Sequence, residues 1–301
     1  MSAAKKIKLD VEQEKMPMEL ADSCETSSSP IFQKEIQCML HGFGDVAEPL
    51  EETAVMVHKI VHAKMCDIIM MVSATAQNRG SKSIGIEDVI YLLTPDKSKL
   101  NRYLNHLKFK DMKGKFTDEP GHEDLVLNDI QETFDKSYKR IRICRKFLQC
   151  IKPKENLNEM FNSGANDPVR LKRLARAEFQ TRDMNTNEYL LFSECRSVTF
   201  AKKPMKFYNW FEEVLLQVEV QPSHFGWESL EFLAHDLVAE IVDAALLVKN
   251  DQERNCKPYE PDNTLLQTAT HGMPKKQKTS LTCSHIREAF RRLNYFRPIT
   301  F

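Results

Sequence analysis

Between Pro49 and Gln77 the chain places apolar side chains around more of a helix than any single surface can cover. Val57, Ile60, Val61, Ile68, Met71 and Val72 recur at helical spacing, and Met56, Met65, Ile69 and Met70 widen the stripe they form. Pro49 suits the first turn, where its missing N–H costs nothing. Glu48, Glu51 and Glu52 favour the positive end of the helix dipole, and Gly80 supplies the C-terminal break. A helix of this kind leaves a large apolar face exposed unless other segments enclose it.

Shorter helices flank it. Residues 31–40 read as a helix with Ile31, Phe32, Ile36 and Met39 on one side, broken at His41 to Asp45. Gly42, Gly44 and Ala47 fit a loose dinucleotide-binding pattern, but no strand precedes them, so they read as a turn. After a short extended loop, Gly85 stands as N-cap, Asp88 follows at the third helical position, and Ile84 and Val89 are spaced as a hydrophobic staple. That helix ends at Thr94-Pro95, and a further helix from Lys97 to Leu107 presents Leu100, Tyr103, Leu104 and Leu107. This is the order of a histone fold, which needs a second unit to cover its long helix.

The second unit lies near the C-terminus. Lys206 to Phe211 read as its first helix. Pro222 to Lys249 read as the long one, with Leu230, Leu233, Ala234, Leu237, Val238, Ile241, Val242, Ala245 and Leu246 apolar. Leu281 to Leu293 repeat the loop and capped helix, with Thr282 as N-cap. The expected fold is therefore all-α: two histone folds in one chain forming an intramolecular handshake pair, with a helical basic linker. Val57, Ile60, Val61, Ile68, Val72 and Leu92 are expected to meet Leu233, Leu237, Ile241, Ala245, Ile286 and Phe290 in the pairing interface. Each large apolar side chain buried there contributes about 1.5–3 kcal/mol, and the linker gives the pair a high effective concentration. Pairing swapped between two chains is the alternative. The expected boundaries are a disordered tail at 1–29, a first fold at 30–109, a linker at 110–202 and a second fold at 203–301, with a disordered insertion at about 251–279.

Charge is balanced overall, with 43 basic and 43 acidic residues, which excludes a protein that wraps DNA by bulk attraction. The balance hides segregation. Lys136 to Arg182 hold 13 cations against 4 acids, whereas Asn209 to Asn250 hold 8 acids and one cation, Lys249. Such runs are solvated faces, internal salt bridges or surfaces for an oppositely charged partner. In the basic run, Ile141, Cys144, Phe147, Leu148 and Ile151 form one apolar stripe, and Leu171, Leu174, Ala175 and Phe179 another. These read as helices packing on the rest of the complex, as solvated helices, or as a weak DNA-backbone contact. No base-reading signature is present.

Lys5, Lys6 and Lys8 in the tail form a K-K-x-K run expected to act as a nuclear import signal. The start has no signal-peptide core, no stretch reaches membrane-span length, and no two of the eight cysteines are three residues apart, so a soluble intracellular protein with reduced thiols is expected. His58, His62 and Cys66 line one helix face, but no fourth ligand is evident, and helix packing explains them better than zinc. His235 and His285 read as interface or capping histidines. No catalytic, metal or cofactor motif is found, so neither catalysis nor a cofactor is expected.

Several stretches carry a resemblance. FQKEIQCMLHGFGDVAEPLEETAVMVHKIV, IGIEDVIYLL, RLARAEFQTRDM, FSECRSVTFAKKPMKFYNW and SHIREAFRRL together resemble the tandem histone-fold transcription initiation protein of the SAGA coactivator complex, the third member of the suppressor-of-Ty group. The resemblance covers roughly 30–250 and 281–297. It implies a non-enzymatic, nuclear coactivator subunit that binds the TATA-binding protein, helps place it at promoters for RNA polymerase II initiation, and assembles with other SAGA subunits, with weak or no direct DNA binding and no membrane. Gly85 departs from the Ser or Thr usual in that family. Because the TATA-binding protein is basic, Glu228, Glu231, Asp236, Glu240 and Asp243 become its expected contacts. Alternatives are a TFIID-type histone-fold subunit that needs a separate partner, and a chromatin protein binding DNA backbone through 136–182.

Overall fold

The apolar helix lies at Glu51–Asn78, here α2, in a computed structural model that describes residues 30–118, 139–154, 161, 167–255 and 279–296. Lys5, Lys6, Lys8 and most of the expected insertion lie outside the described residues. In α2, Val57, Val61, Met65, Ile69 and Val72 are fully buried. Before it comes α1 (Gln33–Phe43), and after it α3 (Ile86–Leu93) and α4 (Lys97–Asp118). The middle of the chain holds α5 (Lys139–Ile151), α6 (Pro168–Thr181) and α7 (Thr186–Ser197). A short 3₁₀ turn (Phe200–Lys202) then leads to α8 (Pro204–Trp210) and α9 (Glu212–Leu215). The second long helix is α10 (His224–Asn255), followed by α11 (Cys283–Phe296). The described residues contain no strand, only an isolated bridge.

That bridge shows how the units join. Ile84, in the loop after α2, pairs in parallel with Pro222, in the loop before α10. The Ile84 N–H donates to the Gln221 carbonyl at 2.9 Å, and the Ile84 carbonyl accepts from the Ser223 N–H at 2.9 Å and hydroxyl at 2.8 Å. The opposite end mirrors this. Leu281, in the loop after α10, donates its N–H to Asp45 at 2.9 Å and accepts from the Thr53 hydroxyl at 2.9 Å. In both cases the loop before one long helix holds the loop after the other. Ile84 and Leu281 occupy equivalent places and both are fully buried. With α2 packed on α10 between them, the arrangement is consistent with a histone-fold handshake made within one chain.

Local chemistry sets the helix ends. Asp88, fully buried, accepts from the Gly85 N–H at 2.8 Å and from Arg79 at 2.8 and 3.0 Å, so a charged clamp tightens the start of α3 although Gly85 has no side chain to cap with. At α11 the Thr282 N–H donates to His285 Nδ1 at 3.1 Å, while His285 Nε2 lies 2.9 Å from Gln252. Asp251 pairs with Arg292 at 2.7 Å. Contacts of this kind with α11 carry α10 to Asn255, beyond the helix end expected at Lys249. Similarly, α4 extends past Leu107 to Asp118, where Asp111 takes the N–H groups of Arg140 and Ile141 at 3.1 Å each and so meets the N-terminus of α5.

The residues expected in the pairing interface divide by depth. Val57, Val61, Val72, Leu233, Ile241, Ala245 and Ile286 are buried. Ile60, Ile68, Leu92 and Leu237 are half-buried against that core, and Phe290 is half-buried with Lys64 over its ring at 5.5 Å. On α3 it is Leu93, not Leu92, that goes inside. The stripe expected on α6 is turned outward: Leu171, Leu174 and Phe179 are exposed, and Ala177 is the buried apolar residue, because the arginines of α6 take the inner face.

Gly226 permits the close approach at the bridge. A Cβ there would stand 2.4 Å from the Ile84 carbonyl oxygen. Ala is the better helix former by about 1 kcal/mol, but the oxygen it displaces is the acceptor that joins the units. Gly226→Ala should therefore lower the unfolding free energy by on the order of 1 kcal/mol in urea denaturation. A gain in stability would mean that the bridge contributes little.

Candidate partner-binding surfaces

The acids of α10 define the first surface. Asp236 is 4% exposed and faces Arg102 and Arg173 at 3.1 Å each and Lys99 at 3.8 Å. Glu240 takes Lys99 at 3.0 Å and Arg102 at 3.5 Å. Asp243 accepts from Arg173 and Arg176 at 2.7 Å each. Glu228 holds Arg140 through two bonds of 2.8 and 2.9 Å, and Arg140 also reaches Asp111 at 2.8 Å and lies over the Phe225 ring at 4.7 Å. The cations come from α4, α5 and α6, so the basic linker is fastened along the acidic helix. Tyr103 of α4 is buried in the same seam, with its hydroxyl 2.6 Å from Ser229 of α10.

Burial opposes ionisation of Asp236, but Lys99, Arg102 and Arg173 outweigh it and hold the carboxyl below the ordinary range. Of the five expected contacts, Glu228, Asp236, Glu240 and Asp243 are thus occupied within the chain. Glu231 differs: it forms no ion pair among the described residues, and burial, helped by Glu228 and opposed by Lys110, pushes it up to about 6.

The histidines on α2 pack against an aromatic cluster. His62 Nε2 lies 2.9 Å from the Trp210 carbonyl, and His58 rests on the Trp210 ring at 4.8 Å. Burial lowers His58 to about 4, with His62 and Lys59 adding to the effect. Cys66 Sγ is 3.9 Å from His62. Among the described residues no group of three or more potential ligands is gathered for a metal, and no helix is long and apolar enough to cross a membrane. His235 packs on Phe43 at 5.2 Å.

A second surface was not anticipated. Helices α6 and α7 both lean on α1, where a Cβ on Gly42 would stand 3.1 Å from the Arg196 backbone nitrogen. Phe192 and Cys195 point inward, while Tyr189, Leu190 and Leu191 are about half exposed. A run of three adjacent apolar residues on α7 was the signal for it.

The comparisons with known proteins match this architecture. Residues 30–119 match the family described as Transcription initiation factor IID, 18kD subunit. The chain is 27% identical to the SAGA complex subunit Spt3 of Schizosaccharomyces pombe over 287 residues, covering 89% of this chain and 91% of that protein. The chain resembles the Spt3 subunits of SAGA. It is also 28% identical to SAGA complex subunit SPT3 of Saccharomyces cerevisiae over 307 residues, covering 86% and 90%. Similarity to Transcription initiation factor TFIID subunit 13 of Arabidopsis thaliana is higher, at 38%, but spans 72 residues, 24% of this chain and 56% of that protein. The likeness to Spt3 therefore includes the linker and the second fold, whereas the TFIID subunit 13 match spans about a quarter of the chain.

The buried charges predict an acid response. Asp236 has a lowered folded value, so its stabilising effect is complete above the ordinary Asp value of about 4 and is lost as pH falls through the lower folded one. Asp236→Asn should cost about 3–5 kcal/mol at neutral pH, because it leaves several cations short of a counter-charge. Its stability should also fall less than that of the wild type below about pH 4. Equal acid dependence of the two proteins in chemical denaturation would refute this role.

Proposed function

We propose that this chain is a nuclear, non-enzymatic coactivator subunit of a SAGA-type complex, and that it binds the TATA-binding protein and promotes its placement at promoters. The observation that carries the reading is the similarity to Spt3 subunits over about nine-tenths of both chains, linker and second fold included. The handshake supports it physically, because both long helices are covered within the chain and no separate histone-fold partner is needed for that purpose. This favours the SAGA reading over a TFIID-type subunit that needs a partner. A DNA-backbone role for the linker is disfavoured, because Arg140, Arg173 and Arg176 are engaged by acids of α10 and α4.

Purification of the tagged chain from nuclear extract, followed by mass spectrometry, should recover an acetyltransferase and its adaptor subunits. Recovery of TFIID subunits without that acetyltransferase would overturn the reading.

Contact with the TATA-binding protein falls first to Glu231, the acid of α10 without an ion pair among the described residues. Glu231→Lys should weaken association, chiefly through a slower on-rate that depends on salt, at little cost in stability. Glu240→Lys should also weaken it, but should destabilise the fold through Lys99 and Arg102. Unchanged affinity of both variants at low salt, in surface plasmon resonance, would remove these acids from the contact. Titration of the isolated chain with non-specific duplex DNA should show weak binding with a shallow salt slope.

A further inference from the structure

A cleft of about 380 Å³ lies between α1, α6, α7 and α10, within the range that holds a bound group. Arg102, Arg170, Arg173 and Arg196 line it together with His235, and no acidic side chain does. The remainder is largely apolar, from Met39, Phe43, Leu174, Ala177 and Val198. Arg173 gives Nε to Asp243 and Nη1 to Asp236, but its buried Nη2 has no hydrogen-bond acceptor among the described residues, nor does the buried Nε of Arg102.

The apolar surface continues outward from the cleft. Leu174 both lines it and is 44% exposed, and Leu171, one turn earlier, is 53% exposed. Phe179 on α6 and Tyr189, Leu190 and Leu191 on α7 are also exposed. Exposed apolar residues scattered singly need no explanation, but a concentration of them on two consecutive helices beside an arginine-lined cleft does. Leu171 and Leu174 stand three residues apart and form a ridge of the sort that packs into the groove of another helix.

We propose that this cleft and the exposed face of α6 receive an acidic amphipathic helix from a protein partner. Its apolar face packs on Leu171, Leu174 and Phe179, and its carboxylates meet Arg196, an exposed arginine of the lining. A small polyanion satisfies the arginines but leaves the leucines in water, so the apolar lining favours a peptide. This surface does not include Glu231, the acid of α10 assigned first to the TATA-binding protein, so the two assignments fail independently.

The test uses the full chain as bait for a displayed library of random peptides of about 16 residues, roughly 24 Å of helix. The expected result is enrichment of Asp and Glu with Leu, Phe or Trp at i, i+3, i+4 and i+7. A recovered peptide, labelled and followed by fluorescence anisotropy, should bind at least tenfold more weakly to Arg196→Glu and to Leu174→Ser, and more weakly as salt rises. Both side chains are exposed, and unchanged melting temperatures of the variants would show that folding is intact. Enrichment of neutral or basic peptides, or binding that survives both substitutions, would overturn the proposal. So would a library that yields nothing while inorganic triphosphate binds saturably, which would assign the cleft to a small anion.

Discussion

The apolar girth of α2 and α10 is the constraint from which the rest follows. Each helix carries fully buried residues over several turns, from Val57 to Ala76 in one and from Leu230 to Ala245 in the other. A surface helix satisfies one such stripe against one neighbour. These two each need cover from their own short helices and from the opposite unit. Crossing them disposes of both requirements at once, and the crossing in turn brings the loop before one helix to the loop after the other. The paired loops at Ile84 and at Leu281 are thus consequences of covering the long helices, the first held by backbone hydrogen bonds to Gln221 and Ser223 and the second by the side chains of Asp45 and Thr53.

Covering the apolar stripes leaves the polar flank of α10 to be dealt with, and this is where the linker acts. Asp236, Glu240 and Asp243 lie along that flank and meet cations from α4 and α6. Exposed ion pairs contribute little, but Asp236 is almost wholly inside, where removing one partner leaves a buried charge uncompensated. The geometry is correspondingly specific. Three cations share one carboxylate, so a shift of α6 along α10 breaks several bonds together. The segregation of charge along the chain thereby becomes a register device that fixes where α4 and α6 sit on the second fold.

Much of this was legible in the sequence because its causes are local. Helical periodicity, the Gly85 and Asp88 arrangement, and the repetition of a long helix before a capped short one need no knowledge of tertiary contacts. The apolar stripes of the two long helices were legible for the same reason. The direction in which the linker helices face was not. In α6 the leucines and the arginines compete for the inner side, and periodicity alone awards it to the leucines. The buried acids of α10, far away in sequence, reverse that outcome: Arg173 and Arg176 turn in and Leu171, Leu174 and Phe179 turn out. The same contacts account for the acids expected to face a partner, four of which are engaged by cations of α4, α5 and α6. Segregated charge in one chain has itself as the nearest partner, and effective concentration favours that pairing over a second molecule.

This inversion bears on what the chain presents to others. If the arginines of α6 were outward, the linker would be a cationic strip suited to a polyanion, and α10 an acidic strip suited to a cationic protein. With the two strips closed on each other, net attraction for either kind of partner falls. What remains outside is more discriminating: a half-buried Glu231 whose ionisation depends on its surroundings, and the exposed apolar residues of α6 and α7 beside Arg196. Recognition at such places requires a partner that supplies shape and charge together, because desolvating the leucines needs a complementary apolar face and the arginine edge needs a carboxylate at a set distance. Internal neutralisation therefore raises specificity: it removes the long-range attraction that any oppositely charged molecule would feel and leaves contacts that act only at close range.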